Sequence, residues 1–199
     1  MKIELFAFDL DGTLLDTAPD FLYAVNLLRK KYKFGEADYE QVRSRVSQGA
    51  ASLAAYALNL QGKSNQIIES HRQELLDIYE DCCLTNTKMF DGVEELLNEL
   101  NEKKIKWGIV TNKSEKYTKP IIEKLRWHEL TDAVICPEDV SEGKPNPEGI
   151  IRALDILNAS NFVTKFGCGS ISKYFKSRRT MLISLFKILL VYEVGICFS

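Results

Sequence analysis

The sequence predicts an α/β fold: a parallel sheet flanked by helices, with a smaller helical unit inserted after the first strand. Three observations predict it. Leu5–Phe8 is an uninterrupted apolar run, as expected of a strand buried on both faces, and it stops abruptly at Asp9, Asp11 and Gly12. A second strand-like stretch, Ile105–Val110, ends in Thr111-Asn112-Lys113. Between them lie roughly 65 residues of mostly helical periodicity, too many for a loop and enough for a small domain.

The first stretch sets the chemistry. Acids just past a buried strand sit in the crevice at the carboxyl end of the sheet, where open α/β sheets bind ligands. Gly12 permits the sharp turn that follows. Two carboxylates this close repel unless something positive lies between them. A divalent cation that prefers oxygen ligands, such as Mg²⁺, is the natural counter-ion. An ionised Asp is also a nucleophile able to form an aspartyl-phosphate. The plain alternative, an Asp-Gly turn after a strand, does not account for the whole run Leu5–Thr13.

Composition narrows the class. With 199 residues the chain suits one core carrying an inserted domain. Its net charge of −2 argues against a general nucleic-acid surface. Five cysteines, with Cys82 beside Cys83, do not form a disulfide framework, and a reducing, cytoplasmic setting is expected. Asp9 and Asp11 interrupt any apolar core of a signal peptide. The charge is unevenly spread. Residues 1–155 hold 20 Lys+Arg against 27 Asp+Glu, whereas residues 156–199 hold six against the single acid Glu193.

Taken in order, Thr17-Ala-Pro-Asp20 reads as a helix start with a Thr cap and Pro19 in the first turn. Phe21, Val25 and Leu28 then follow at helical spacing. Asp38–Val46, Ala50–Leu60 and Ser64–Cys82 are three further helices, the last with Ile67, Ile68, His71, Leu75, Ile78 and Tyr79 on or near one face. Arg45 either reaches an anionic substrate group, with Gly49 letting backbone amides approach it, or is a solvated helix charge beside a helix breaker. His71 is read as a helix-face residue and Tyr79 as packing.

Phe90-Asp-Gly92 is a turn, Val93–Leu100 an amphipathic helix, and Ile105–Val110 a strand. Thr111 at the end of that strand can hydrogen-bond phosphate oxygens, with Asn112 beside it; it can equally cap the helix from Ser114 to Trp127. Ala133–Cys136 is a short strand. Lys144, in Glu142-Gly-Lys-Pro-Asn-Pro147, precedes the helix Glu148–Leu157 and can neutralise a nucleophile and a phosphate.

The run Leu5–Thr13, Thr111, and Lys144 in its Lys-Pro-x-Pro setting occur in order, with the helical insert between the first two. In this the chain resembles the haloacid dehalogenase superfamily of phosphatases over about residues 3–158. Leu15-Asp-Thr-Ala-Pro-Asp20, Val46-Ser-Gln-Gly-Ala50 and Trp107–Lys113 look most like bacterial phosphoglycolate phosphatases and the similar N-acetylmuramate-6-phosphate phosphatases. The resemblance implies a Rossmann-like parallel core over 1–15 and 85–165 and a helical cap over 16–84. It implies Asp9 as nucleophile, Asp11 as acid and base, and Thr111 and Lys144 as phosphoryl-binding groups. Mg²⁺ is then held by the Asp9 carboxylate and the Asp11 carbonyl, with Asn112, Arg45 and Gly49 toward the substrate. The implied partner is a small phosphorylated metabolite, 2-phosphoglycolate first and N-acetylmuramate 6-phosphate second. No nucleic acid or membrane partner is expected, and monomer and homodimer are both open.

The resemblance stops near Val163–Ser170. The family's fourth motif is a strand ending in Gly-Asp that supplies metal ligands, and this stretch contains no acid. Cys168 and Gly169 do not replace hard oxygen donors. Residues 166–199 are an atypical tail. Met181–Ser199 has 14 apolar residues of 19, with Lys187 and Glu193 opposing a membrane anchor. A sheet-edge replacement and a translated frameshift are the other readings; sequencing the gene near codon 159 tests the last. With the motif's acids gone, a catalytically impaired family member is the competing functional class.

Overall fold

The computed structural model describes residues 5–131, 133–159 and 162–165. The elements run β1 (Leu5–Phe8), β2 (Leu15–Asp16), α1 (Ala18–Lys31), α2 (Tyr39–Val46), α3 (Ala50–Ala57), α4 (Asn65–Cys82) and β3 (Lys88–Met89). The second part adds α5 (Val93–Glu102), β4 (Lys106–Val110), α6 (Glu115–Lys124), β5 (Val134–Ile135), α7 (Glu148–Leu157) and β6 (Phe162–Lys165). The tail readings, from Phe166 to Ser199, lie outside the described residues.

β1 occupies the middle of a four-stranded sheet of order β5-β4-β1-β6, in which every pairing is parallel. Side chains alternate across a strand, so β1 feeds two cores. Phe6 and Phe8 pack with Leu97, Trp107, Ile109 and Ile121. Ala7 packs on the opposite side with Val110, Ala133, Ile135 and Ala153. Burial on both faces is why the run lacks polar alternation. The sheet is the expected α/β parallel core, and β6 extends it on the side of β1 away from β4.

Gly108 lets β4 approach its neighbour. A Cβ there would stand 2.9 Å from both the Cβ and the carbonyl oxygen of Ala133. Gly108→Ala should therefore destabilise the fold by about 1–3 kcal/mol through overpacking, read as a lower urea midpoint with an unchanged slope.

The insert forms a third apolar cluster, including Phe21, Val25, Leu28, Val42, Leu53 and Tyr79. It hangs on two linkers that pair antiparallel as β2 and β3, Leu15 opposite Met89 and Asp16 opposite Lys88. Asp20, fully buried in the first turn of α1, binds the returning linker. Its Oδ1 accepts from the Asn86 amide at 2.7 Å. Its Oδ2 accepts from the amide and hydroxyl of Thr87 at 3.1 and 2.7 Å.

Several local expectations are corrected. Thr17 does not cap α1 through its side chain; its hydroxyl is buried without a partner, and the Ala18 amide turns to the Asp16 carboxylate instead, at 3.3 Å. The third helix stops at Ala57 rather than Leu60, and Asn59 takes a positive φ of 54° just beyond it. The helix from Ser114 does not reach Trp127: it ends at Lys124, and Arg126 at φ 56° redirects the chain into a 3₁₀ turn, Trp127–Glu129. On α4, Leu75, Tyr79 and Cys82 are buried while Ile67 is exposed. His71 pairs with Glu74 at 3.2 Å, as a helix-face residue would. Among the described residues, no helix is long and apolar enough to cross a membrane.

Candidate active site

At the carboxyl ends of β1 and β4 a cavity of about 270 Å³ opens between the sheet and the helical insert. Asp9, Asp11, Thr111, Asn112 and Lys144 line its floor, and Gly49 belongs to its roof. Three segments far apart in sequence thus meet because parallel strands all end at one edge of the sheet.

Asp9 is buried. Its Oδ1 accepts from the Leu10 amide at 2.8 Å and faces Lys144 Nζ at 2.6 Å. Burial raises the Asp9 carboxyl above its ordinary value, and Lys144 pulls the other way. Both contacts fall on Oδ1, so Oδ2 is the oxygen left for a ligand. Lys144 Nζ also donates to the Val110 carbonyl at 3.0 Å, which ties the ammonium to the end of β4.

Thr111 is buried. Its Oγ1 accepts from the Lys113 amide at 3.1 Å, and its own O–H remains a donor at the cavity floor. Asn112, expected toward the substrate, lines the cavity and also holds the Lys144 backbone. Its Oδ1 accepts from the Lys144 amide at 2.8 Å, and its Nδ2 donates to the Lys144 carbonyl at 2.9 Å. The carboxamide therefore fastens the loop that carries Lys144. Gly143 makes room for it: a Cβ there would lie 2.7 Å from Asn112 Oδ1.

Gly49 takes φ 91° and starts α3, placing the N-terminal backbone of that helix in the roof. Arg45 is not in the cavity wall. Its Nη1 donates to the carbonyl and the side-chain oxygen of Gln41, at 2.8 and 2.7 Å, and its guanidinium lies 4.7 Å from the centre of the Tyr56 ring. The solvated-helix alternative matches this placement better than the substrate-contact one.

The family model for haloacid dehalogenase-like hydrolases matches residues 6–165. The chain belongs to that family. An N-acetylmuramic acid 6-phosphate phosphatase of Pseudomonas aeruginosa is 37% identical over 157 residues, covering 79% of this chain and 69% of the relative. A phosphoglycolate phosphatase of Xanthomonas campestris pv. campestris is 36% identical over 154 residues, covering 77% and 68%. Among solved structures, a HAD hydrolase of family IA, variant 3, from Entamoeba histolytica superposes with a TM-score of 0.66 at 20% identity, covering 81% of this chain and 74% of that one. At that identity the match speaks for the fold, an α/β core with a helical cap.

In this haloacid dehalogenase-like hydrolase Phe21, Arg72, Tyr79 and Lys113 also line the cavity, a place that the sequence did not assign to them. Phe21 and Tyr79 belong to apolar helix stripes, and a stripe does not say which of its members border a cavity. Lys113 carried a usable signal, a cation two residues past Thr111 at the carboxyl end of β4.

The residues present fit a Mg²⁺ ion of the kind that keeps most of its waters. Such an ion needs one or two carboxylates plus the substrate's phosphate oxygens, and the Asp9 carboxylate at the cavity floor, with Asp11 beside it, offers that kind of donor. Among the described residues no cluster of three or more acidic, His or Cys side chains is available to hold a metal.

Proposed function

We propose that the chain is a Mg²⁺-dependent phosphatase of small phosphomonoesters, 2-phosphoglycolate first among them, acting through an aspartyl-phosphate. The observation that carries this is the convergence of Asp9, Asp11, Thr111 and Lys144 on one cavity beneath the helical cap. We divide the chain for this purpose into a core, 1–15 and 85–165, and a cap, 16–84, with 166–199 as a separate tail. A cytoplasmic location accords with the metabolite substrate.

Asp9 is the nucleophile. The Leu10 amide and Lys144 hold Oδ1, which presents Oδ2 to phosphorus. As the Asp9–phosphorus bond forms, the bond to the substrate's alkoxide breaks, and Asp11, which enters this step protonated, gives that alkoxide its proton. Asp11 then takes a proton from the water that cleaves the aspartyl-phosphate, releasing inorganic phosphate and restoring Asp9. Thr111 donates to a phosphoryl oxygen, and Lys144 offsets the charge shared between Asp9 and the phosphoryl group. Asn112 positions Lys144. Asp9 and the Asp11 carbonyl would hold a Mg²⁺ ion, which would supply further positive charge to the phosphoryl oxygens. The seated cap keeps bulk water from the reacting atoms.

A cavity of about 270 Å³ accords with a small phosphomonoester. The two kinds of relative differ by a single percentage point in identity, so identity does not choose between them. Phosphate release from both compounds, with Mg²⁺ and with excess EDTA, is the test. We expect kcat/KM for 2-phosphoglycolate to exceed that for N-acetylmuramate 6-phosphate by about tenfold or more, as a pocket shaped for one ester discriminates. The reverse ranking would reassign the substrate.

One sequence fact favours a second reading. After Asp155 the only acid is Glu193, so the acids of the family's fourth motif are missing and Mg²⁺ has fewer anionic ligands. If phosphate release with Mg²⁺ equals that of the Asp9→Asn variant, the chain is a non-catalytic family member.

A further inference from the structure

Lys113 belongs to the core by its backbone and to the cap by its head. The backbone is fixed at both ends: its amide donates to Thr111 Oγ1 at 3.1 Å, and its carbonyl accepts from the Thr118 hydroxyl at 3.2 Å. The side chain is only 4% exposed. The ammonium lies 3.3 Å from Asp11 Oδ2 and 3.4 Å from Oδ1. On the cap side it donates to the Tyr79 hydroxyl at 3.0 Å. It also lies 4.6 Å from the centre of the Tyr79 ring and 5.1 Å from that of Phe21. Those two rings stack on each other, with centroids 4.0 Å apart and planes 6° apart. Phe21 comes from α1 and Tyr79 from α4, so the seat exists only when both cap helices are docked.

A buried ammonium is tolerated only with partners that replace water. With the cap seated, two aromatic faces and a hydroxyl do so, and the low-dielectric surroundings strengthen attraction to Asp11. With the cap lifted, water reaches the ammonium and competes for it. Other polar bridges between the insert and the core lack this feature. Lys116 to Glu80 is exposed, and Tyr117 Oη to the Leu76 carbonyl, at 3.3 Å, touches neither Asp9 nor Asp11.

We propose that Lys113 is a positioning residue that couples docking of the cap to placement of the Asp11 carboxylate. This rests on the reading of Asp11 as acid and base given above. Coupling is reciprocal: if the docked cap holds Asp11 through Lys113, the Asp11 charge must also help hold the cap.

Two measurements test it, one of them independent of turnover. The first is steady-state kinetics on 2-phosphoglycolate. Lys113→Met should lower kcat by about 100-fold, the usual scale for a misplaced reacting group, with KM within about threefold. Tyr79→Phe, which removes only the hydroxyl and serves if Lys113→Met does not fold, should lower kcat by about fivefold. In the Lys113→Met background it should cost nothing further, because the two act as one unit. Lys116→Met, on the exposed bridge, should leave kcat unchanged. A rise in KM at constant kcat would make Lys113 a substrate-binding group and overturn the proposal, as would additive effects of the two variants. The second measurement is hydrogen exchange of α4 amides. Asp11→Asn should speed exchange around Tyr79 as Tyr79→Phe does, and Lys116→Met should not. Unchanged exchange in Asp11→Asn would refute the coupling whatever the activity. A wild-type chain no more active than Asp9→Asn would refute the functional reading while leaving the exchange result to decide this one.

Discussion

Asp9→Asn should lower phosphate release from 2-phosphoglycolate by roughly 10⁴-fold or more, as loss of a nucleophile does, while leaving the fold intact. The amide keeps the shape of the carboxyl and an oxygen for the Leu10 N–H, whose bond to Asp9 is 2.8 Å. What it lacks is the anionic oxygen that attacks phosphorus. Lys144, 2.6 Å from Oδ1, then faces a neutral group but retains the Val110 carbonyl at 3.0 Å. Stopped-flow or discontinuous phosphate assays at saturating Mg²⁺ read the activity, and circular dichroism confirms that the variant is folded. A folded variant with wild-type turnover would remove Asp9 from the mechanism.

Asp20→Ala should cost about 3 kcal/mol of stability, the sum expected when charge-assisted hydrogen bonds are lost and buried donors are left unpaired. Three donors converge on this carboxylate, the amides of Asn86 and Thr87 and the Thr87 hydroxyl, and the side chain is fully buried. Substitution by Ala leaves two linker amides without their acceptor. Asp20→Asn should cost about half as much, since one oxygen survives while the new NH₂ faces donors. Urea unfolding of the two variants beside the wild type gives both numbers. Because Asp20 joins the start of α1 to the linker that returns to the core, the loss should also loosen the paired linkers β2 and β3, seen as faster hydrogen exchange at Lys88 and Met89. Equal stability of Ala variant and wild type would mean that water replaces the carboxylate at the linker.

Much of this architecture is legible along the chain. The apolar run at Leu5–Phe8 announces a strand buried on both faces because no polar residue interrupts it, and β1 is indeed covered on both sides. The four helices of the insert follow from apolar spacing. Helix ends are less legible. Arg126 takes a positive φ where nothing in the local sequence demands it, whereas Asn59 is a residue type suited to that conformation, and tertiary packing decides where the regular hydrogen bonds stop.

For the site, sequence by itself determined the inventory: two acids after β1, a Thr after β4, a Lys before α7, and the order that marks the family. These are fixed by chain position, since parallel strands deliver their carboxyl ends to one edge of the sheet. Only the tertiary structure decided how the side chains are used. It turned the Asn112 carboxamide to the Lys144 backbone, left Arg45 against Tyr56 and out of the cavity, and seated Lys113 between Asp11 and two cap aromatics. The physical reason is that spacing constrains backbone direction, whereas the partner of a long polar side chain is chosen by burial and by donors and acceptors contributed from distant segments.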